Sequence, residues 1–198
     1  MAPTKMKSFE QDTRYKFQMR MRPVADALYY KLIPGLISIE RFDKEDGRHI
    51  LDRKFAIDVK LTLVNGMVIT MQEKFREWNS DLELKAKRQY RDITVEYQND
   101  PIANTPGDWF NLSCQLYFEG YASKDEKIFC AYAFLDWLRV IIETQKGNIT
   151  WGLGINTNGR AKANFKFTPI AQDWPECCIL SKKVDKYCVP NVKSPILL

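Results

Sequence analysis

The dipeptide Asn65-Gly66 constrains the fold most, because it lies between two stretches rich in strand formers, residues 50–63 and 67–76. Asn and Gly both tolerate positive φ angles, so the pattern predicts two antiparallel strands joined by a two-residue turn. An isolated hairpin is marginal in water, and this one needs further strands beside it and a cover for its apolar face. At 198 residues, 45% hydrophobic and 28% charged, the chain can build one core and hardly two. A single soluble, globular domain is expected.

The remaining pattern supplies the neighbours. Residues 23–32 read as an amphipathic helix with Pro23 in its first turn, Val24, Ala27, Leu28 and Leu32 as its apolar positions, and Pro34-Gly35 as its stop. Residues 79–90 read as a polar loop or frayed helix, 93–97 as a short strand, 99–108 as a surface loop and 109–121 as a long strand. Phe129, Tyr132, Ala133, Leu135, Trp137, Leu138 and Ile141 mark residues 128–144 as the strongest helix. Strands over 148–155 and 163–167 follow. The expected class is α/β or α+β: a single domain with a central mixed β-sheet, its hairpin flanked by helices. A basic N-terminal arm (1–22) precedes the domain (23–172), and an irregular C-terminal tail (173–198) follows it.

Charge and cysteine usage narrow the function classes. The net charge of +5 and pI near 8.9 favour polyanionic partners. Arg14, Lys16, Arg20 and Arg22 crowd the arm, while Lys74, Arg76, Lys85, Lys87, Arg88 and Arg91 fall within about twenty residues of one another. Trp78, Tyr90, Tyr97 and Trp109 interleave with that second cluster and could stack on bases. The five cysteines, Cys114, Cys130, Cys177, Cys178 and Cys188, have no zinc-knuckle spacing and read as reduced thiols of an intracellular, cytoplasmic protein. The single histidine, His49, removes chemistry that needs a His pair. No membrane span or secretory signal is expected.

The hairpin also carries the chemistry. Side chains alternate across a strand, so Gln72 and Lys74 share one side and Glu73 takes the other. With Asp58 on the neighbouring strand facing the first side, an acid, an amide oxygen and an ammonium converge in one cleft. Such a set can hold Mg²⁺ through hard oxygen ligands and set a lysine against an attacking water or a phosphoryl oxygen. Other acid-x-base triplets occur at Asp52-Arg53-Lys54, Asp58-Val59-Lys60, Glu83-Leu84-Lys85 and Asp125-Glu126-Lys127. The serious rival is Asp58-Val59-Lys60, which needs its second acid from the loop at Asp43 or Asp46.

At Ile57-Asp58-Val59 and, thirteen residues on, Gln72-Glu73-Lys74, the chain resembles the PD-(D/E)XK nuclease superfamily in its Gln-x-Lys form. The similarity in element order covers roughly residues 23–144 and implies a restriction-endonuclease-like fold. It implies Asp58 as metal ligand, Gln72 in the second ligand position, the backbone carbonyl of Glu73 completing the shell, and Lys74 as the catalytic lysine. An assisting acid is implied at Glu40 or Asp43. Gln72 departs from the usual acid, which leaves the cation one negative charge short.

The resulting expectation is a Mg²⁺- or Mn²⁺-dependent DNA endonuclease, monomeric or homodimeric, with Arg76, Lys85, Lys87, Arg88 and Arg91 on phosphates. Two other classes stay open. One is a catalytically silent nucleic-acid-binding or assembly protein on the same fold, and the other an interaction module with no nucleic-acid role.

Overall fold

In the computed structural model, which describes residues 13–42, 49–77, 92–156, 163–170 and 172–184, a fourfold apolar spacing governs the first element. Phe17, Met21, Ala25 and Tyr29 form one buried row along helix α1 (Thr13–Leu32). The helix therefore begins well before the expected 23, and Pro23 lies inside it. A proline there removes the N–H that would bind the carbonyl of Met19, at a cost of about 3 kcal/mol. Both Pro23 and Met19 face solvent, where water can take that carbonyl. Burying Phe17 and Met21 returns about 1.5–3 kcal/mol each. Arg14, Lys16, Arg20 and Arg22, expected on an arm, are thus helix residues, and Arg20 pairs with Glu126 at 2.6 Å.

A six-stranded sheet lies under α1 in the order β1-β2-β3-β6-β7-β10. Its members are β1 (Leu36–Arg41), β2 (Val59–Leu63), β3 (Val68–Arg76), β6 (Leu116–Ala122), β7 (Phe129–Asp136) and β10 (Ile179–Val184). Only β3 and β6 pair in parallel; the other ladders are antiparallel, so the sheet is mixed. A parallel pair needs a long crossover. Part of that crossover is β4 (Asp92–Asp100) and β5 (Thr105–Pro106), which with β8 (Gly152–Asn156) and β9 (Ala163–Pro169) form a second, antiparallel sheet in the order β5-β4-β9-β8.

The large sheet is apolar on both faces. Against α1 it packs Val59, Leu61, Met71, Phe75, Phe118 and Phe134. Its other face packs Tyr117, Ala133 and Leu135 against Ile93 and Val95 of β4 and against Trp137 and Val140 of helix α3 (Trp137–Gln145). The fold is mixed α/β with few helices. Among the described residues no helix is long and apolar enough to cross a membrane.

Several local expectations are corrected. The β2–β3 hairpin is antiparallel as expected, but its register (Thr62↔Val68) and the Leu63 N–H bond to the Met67 carbonyl leave a three-residue loop of Val64, Asn65 and Gly66. Only Gly66 has positive φ (79°), while the Asn65 carboxamide oxygen accepts the Met67 N–H at 3.0 Å. Residues 50–55, expected as strand, belong to helix α2 (His49–Phe55), whose end is marked by the positive φ of Ala56 (47°). The expected strand 109–121 opens instead with a 3-10 turn, Asp108–Phe110, and becomes strand only at Leu116.

The expected helix 128–144 is strand over Phe129–Asp136 and helix only from Trp137. Strand β7 buries both faces, Phe129 and Phe134 toward α1 and Ala133 and Leu135 away from it. A strand of that kind reads as a continuous apolar run without period two. Asp136 then caps α3 by accepting the Arg139 N–H at 3.1 Å. Within the expected irregular tail, β10 pairs with β7 at the sheet edge. Residues 79–90 lie outside the described residues.

Candidate active site

Asp58 stands immediately before β2, where three backbone-directed bonds hold it. Its N–H donates to the Met71 carbonyl at 3.0 Å, its own carbonyl accepts the Phe42 N–H at 2.8 Å, and its Oδ2 accepts the Glu73 N–H at 3.1 Å. The β2–β3 ladder ends at Val59↔Met71, and Asp58 lies just beyond it, with its N–H on Met71 and its carboxylate on the Glu73 N–H, the two residues that flank Gln72. Strand alternation then divides β3: Met71 and Phe75 enter the core under α1, and Gln72, Lys74 and Arg76 belong to the opposite face. The Gln72 Oε1 atom is buried and has no hydrogen-bond partner among the described residues. A buried amide oxygen without a donor is costly and rare. Burial pushes the nearby Cys114 thiol up to about 12, with the Gln72 backbone opposing that rise and Asp58 adding to it.

The charged groups around this point perturb one another. Burial, then Glu73, Asp52 and Asp108, hold the Asp58 carboxyl well above the usual carboxylate range, against the opposing pull of the Glu73 N–H. Lys74 donates from Nζ to the Thr94 carbonyl at 2.9 Å. Burial and the neighbouring Arg76 lower its pKa, while Glu119, Glu96 and Asp108 oppose that shift. Asp108 itself is raised to about 6, by burial and then by Glu96, with Lys74 pulling the other way and Asp52 adding to the rise.

Glu73 has the separate task that its alternation implies. Arg41 grips it from Nε at 2.6 Å and from Nη2 at 3.1 Å, and also reaches Asp26 of α1 at 2.6 Å. The Tyr29 hydroxyl adds a bond to Glu73 at 3.2 Å. This cluster ties α1 to β1 and β3.

Each sequence-derived residue can now be placed. Asp58, just before β2, bonds the two neighbours of Gln72, and Gln72 and Lys74 share one face of β3. Against Asp58 the structure records the Glu73 N–H rather than the carbonyl expected to complete a metal shell. Glu40 is drawn away, paired with Lys60 at 2.5 Å across β1 and β2, which also removes the rival triplet's lysine from the site. Arg76, expected on the phosphate-binding surface, turns inward: its Nε meets Glu119 at 2.7 Å and its Nη2 bonds the Thr94 hydroxyl. Asp43, Lys85, Lys87, Arg88 and Arg91 lie outside the described residues.

Two residues escaped the sequence reading. Glu119 is fully buried in β6 and accepts from Arg76, from the Thr94 N–H at 2.8 Å and from the Thr94 and Tyr117 hydroxyls at 3.1 and 3.3 Å. Its signal was present, as the one acid in the apolar run Leu116-Tyr117-Phe118-Glu119-Gly120-Tyr121-Ala122. Asp108 offered none, being one acid of a polar, proline-containing loop. Among the described residues no three His, Cys, Asp or Glu side chains gather closely enough to hold a metal ion by themselves.

The chain matches no protein-family model, no curated protein and no solved structure.

Proposed function

We propose that this chain is a metal-dependent phosphodiesterase acting on DNA, with a restriction-endonuclease-like fold and Asp58, Gln72 and Lys74 as its working residues. The observation that carries the reading is the buried Oε1 of Gln72, which has no partner among the described residues and belongs to the residue between Met71 and Glu73, the two that bond Asp58. An anion and an orphaned amide oxygen are hard donors suited to Mg²⁺ or Mn²⁺, and the orphaned atom is otherwise left without a partner.

In this reading Asp58 and Gln72 hold the cation. When bound, the cation polarises the scissile phosphate and lowers the pKa of its water. Lys74 orients the attacking water and offsets charge developing on the phosphoryl oxygens. An ammonium has three N–H donors, and the bond to the Thr94 carbonyl uses one of them, which leaves two for this task. Burial, then the neighbouring Arg76, lower the pKa of Lys74, the direction expected of an ammonium held in a dry site. Lys85, Lys87, Arg88 and Arg91 are assigned to the DNA backbone.

A second reading keeps the fold and drops the chemistry: a catalytically silent DNA-binding or assembly protein, monomeric or homodimeric. The Lys74–Thr94 bond favours it, since it gives the lysine a structural partner. Nicking of supercoiled plasmid with Mn²⁺ separates the two. The wild type is expected to nick and Lys74→Ala to lose the activity while keeping salt-sensitive DNA binding. Undiminished nicking by Lys74→Ala removes the lysine from the mechanism, and binding without nicking by the wild type establishes the silent protein.

A further inference from the structure

We propose that Arg76 is a positioning residue for Lys74: by holding the Glu119 carboxylate it keeps that acid from pairing with the lysine, whose charge stays available to phosphate. The inference rests on the phosphodiesterase reading above. It gives Arg76, expected on the DNA surface, a task inside the protein.

The strand ladder creates the competition that Arg76 settles. In the parallel pairing of β3 with β6, Gln72 stands opposite Tyr117 and Lys74 opposite Glu119. Phe75 and Phe118 take the side toward α1, so alternation turns Lys74 and Glu119 together to the other face. An ammonium directly across from a buried carboxylate is drawn to it. Among the described residues, however, no acid pairs with Lys74, and its Nζ donates to the Thr94 carbonyl at 2.9 Å. A bond to a charged acceptor is roughly twice as strong as one to a neutral carbonyl, so the acid must be engaged elsewhere.

The contacts of Glu119 show how it is engaged. Arg76 donates from Nε to Oε1 at 2.7 Å, and its Nη2 bonds the Thr94 hydroxyl. That hydroxyl donates to Oε1 at 3.1 Å, and the Thr94 N–H donates to Oε2 at 2.8 Å. The Tyr117 hydroxyl lies 3.3 Å from Oε2 and 3.0 Å from the Thr94 carbonyl. Thr94 is thus gripped at its N–H, its hydroxyl and its carbonyl, and the carbonyl it presents to Lys74 is fixed. Because ammonium and carboxylate both touch Thr94, a small turn of the flexible lysine stem carries one to the other once the guanidinium is gone. Glu119 is fully buried, and without Arg76 it needs another cation, which the ladder supplies in Lys74.

The test is Mn²⁺-dependent nicking of supercoiled plasmid by the full-length protein in excess, measured against protein concentration, with circular dichroism to confirm that each variant is folded. Arg76→Met is expected to lower the maximal rate about 100-fold, the cost of a displaced reacting group, and to leave the half-saturating concentration unchanged. Adding Glu119→Gln removes the competing charge and is expected to restore most of the rate. Arg76→Gln, which still donates to Glu119 but lacks the charge, is expected to change the rate in the same direction and replaces Arg76→Met should that variant not fold. The ammonium ¹⁵N resonance of Lys74, assigned by its loss in Lys74→Ala, is expected to shift in Arg76→Met and to return in the double variant. An undiminished maximal rate with or without a raised half-saturating concentration, an unmoved resonance, or no recovery in the double variant overturns the inference, while loss of nicking in Lys74→Ala leaves the parent reading standing. A wild type that binds DNA without nicking it defeats both.

Discussion

Glu119 is the residue whose loss should reach furthest. It is fully buried, and the Arg76 side chain it holds at 2.7 Å is 33% exposed. Changing Glu119 to Ala leaves a largely buried guanidinium without its anion and the Thr94 N–H without its acceptor. Stranding one partner of a buried pair costs about 3–5 kcal/mol, and partial exposure of Arg76 places the expected loss near the lower end, at about 3 kcal/mol. For a domain of this size each kcal/mol moves Tm by about 2–4 °C, so calorimetry or thermal circular dichroism should show a fall of about 6–12 °C. The double variant Arg76→Ala/Glu119→Ala tests the reasoning, because it removes the stranded charge. Its Tm should lie at or above that of Glu119→Ala. A Tm within about 2 °C of wild type for Glu119→Ala, or simple addition of the two single losses, would refute the reading of Arg76 and Glu119 as a coupled, stabilising buried pair.

Two further outcomes follow from the same geometry. Burial and the nearby Glu119 raise the Asp92 carboxyl above its ordinary range, with Arg76 opposing, so the folded state holds that proton more tightly than the unfolded chain and loses stability as pH rises through the carboxylate range. Asp92→Asn should therefore be more stable than wild type at pH 7, by no more than about 1 kcal/mol given solvent screening, and lose that advantage near pH 3 in urea titrations. Gly107→Ala should destabilise by about 1–3 kcal/mol, because the added methyl meets the Glu96 backbone at 2.4 Å; chemical denaturation measures it, and a neutral result would mean that the loop moves freely.

Much of the site was legible because its signal is local. The alternation of β3 separates Gln72 and Lys74 from Glu73 wherever the strand lies, and Asn65-Gly66 announces the hairpin at whose open end Asp58 bonds the two neighbours of Gln72. The turn chemistry was only half legible. A two-residue type I′ turn, the form Asn-Gly favours, needs positive φ at both central positions, and the structure spends it on Gly66 alone in a three-residue loop. Residues whose role depends on distant partners were opaque. Arg76 looked like a surface cation until Glu119 and Thr94 arrived from other strands.

By itself, the sequence determined the strand hairpin, the face of β3 that Gln72 and Lys74 share, and the mixed α/β class, since each depends on periodicity over a few residues. Tertiary structure alone decided the rest. It extended α1 through Pro23 because burying Phe17 and Met21 outweighs one missing backbone bond. It made Phe129–Asp136 a strand because a run apolar on both faces has no period, and only neighbours on either side, β6 and β10, select the extended form. It also left the Gln72 oxygen buried without a donor among the described residues, a fact that belongs to three dimensions because it depends on which groups the fold brings near it.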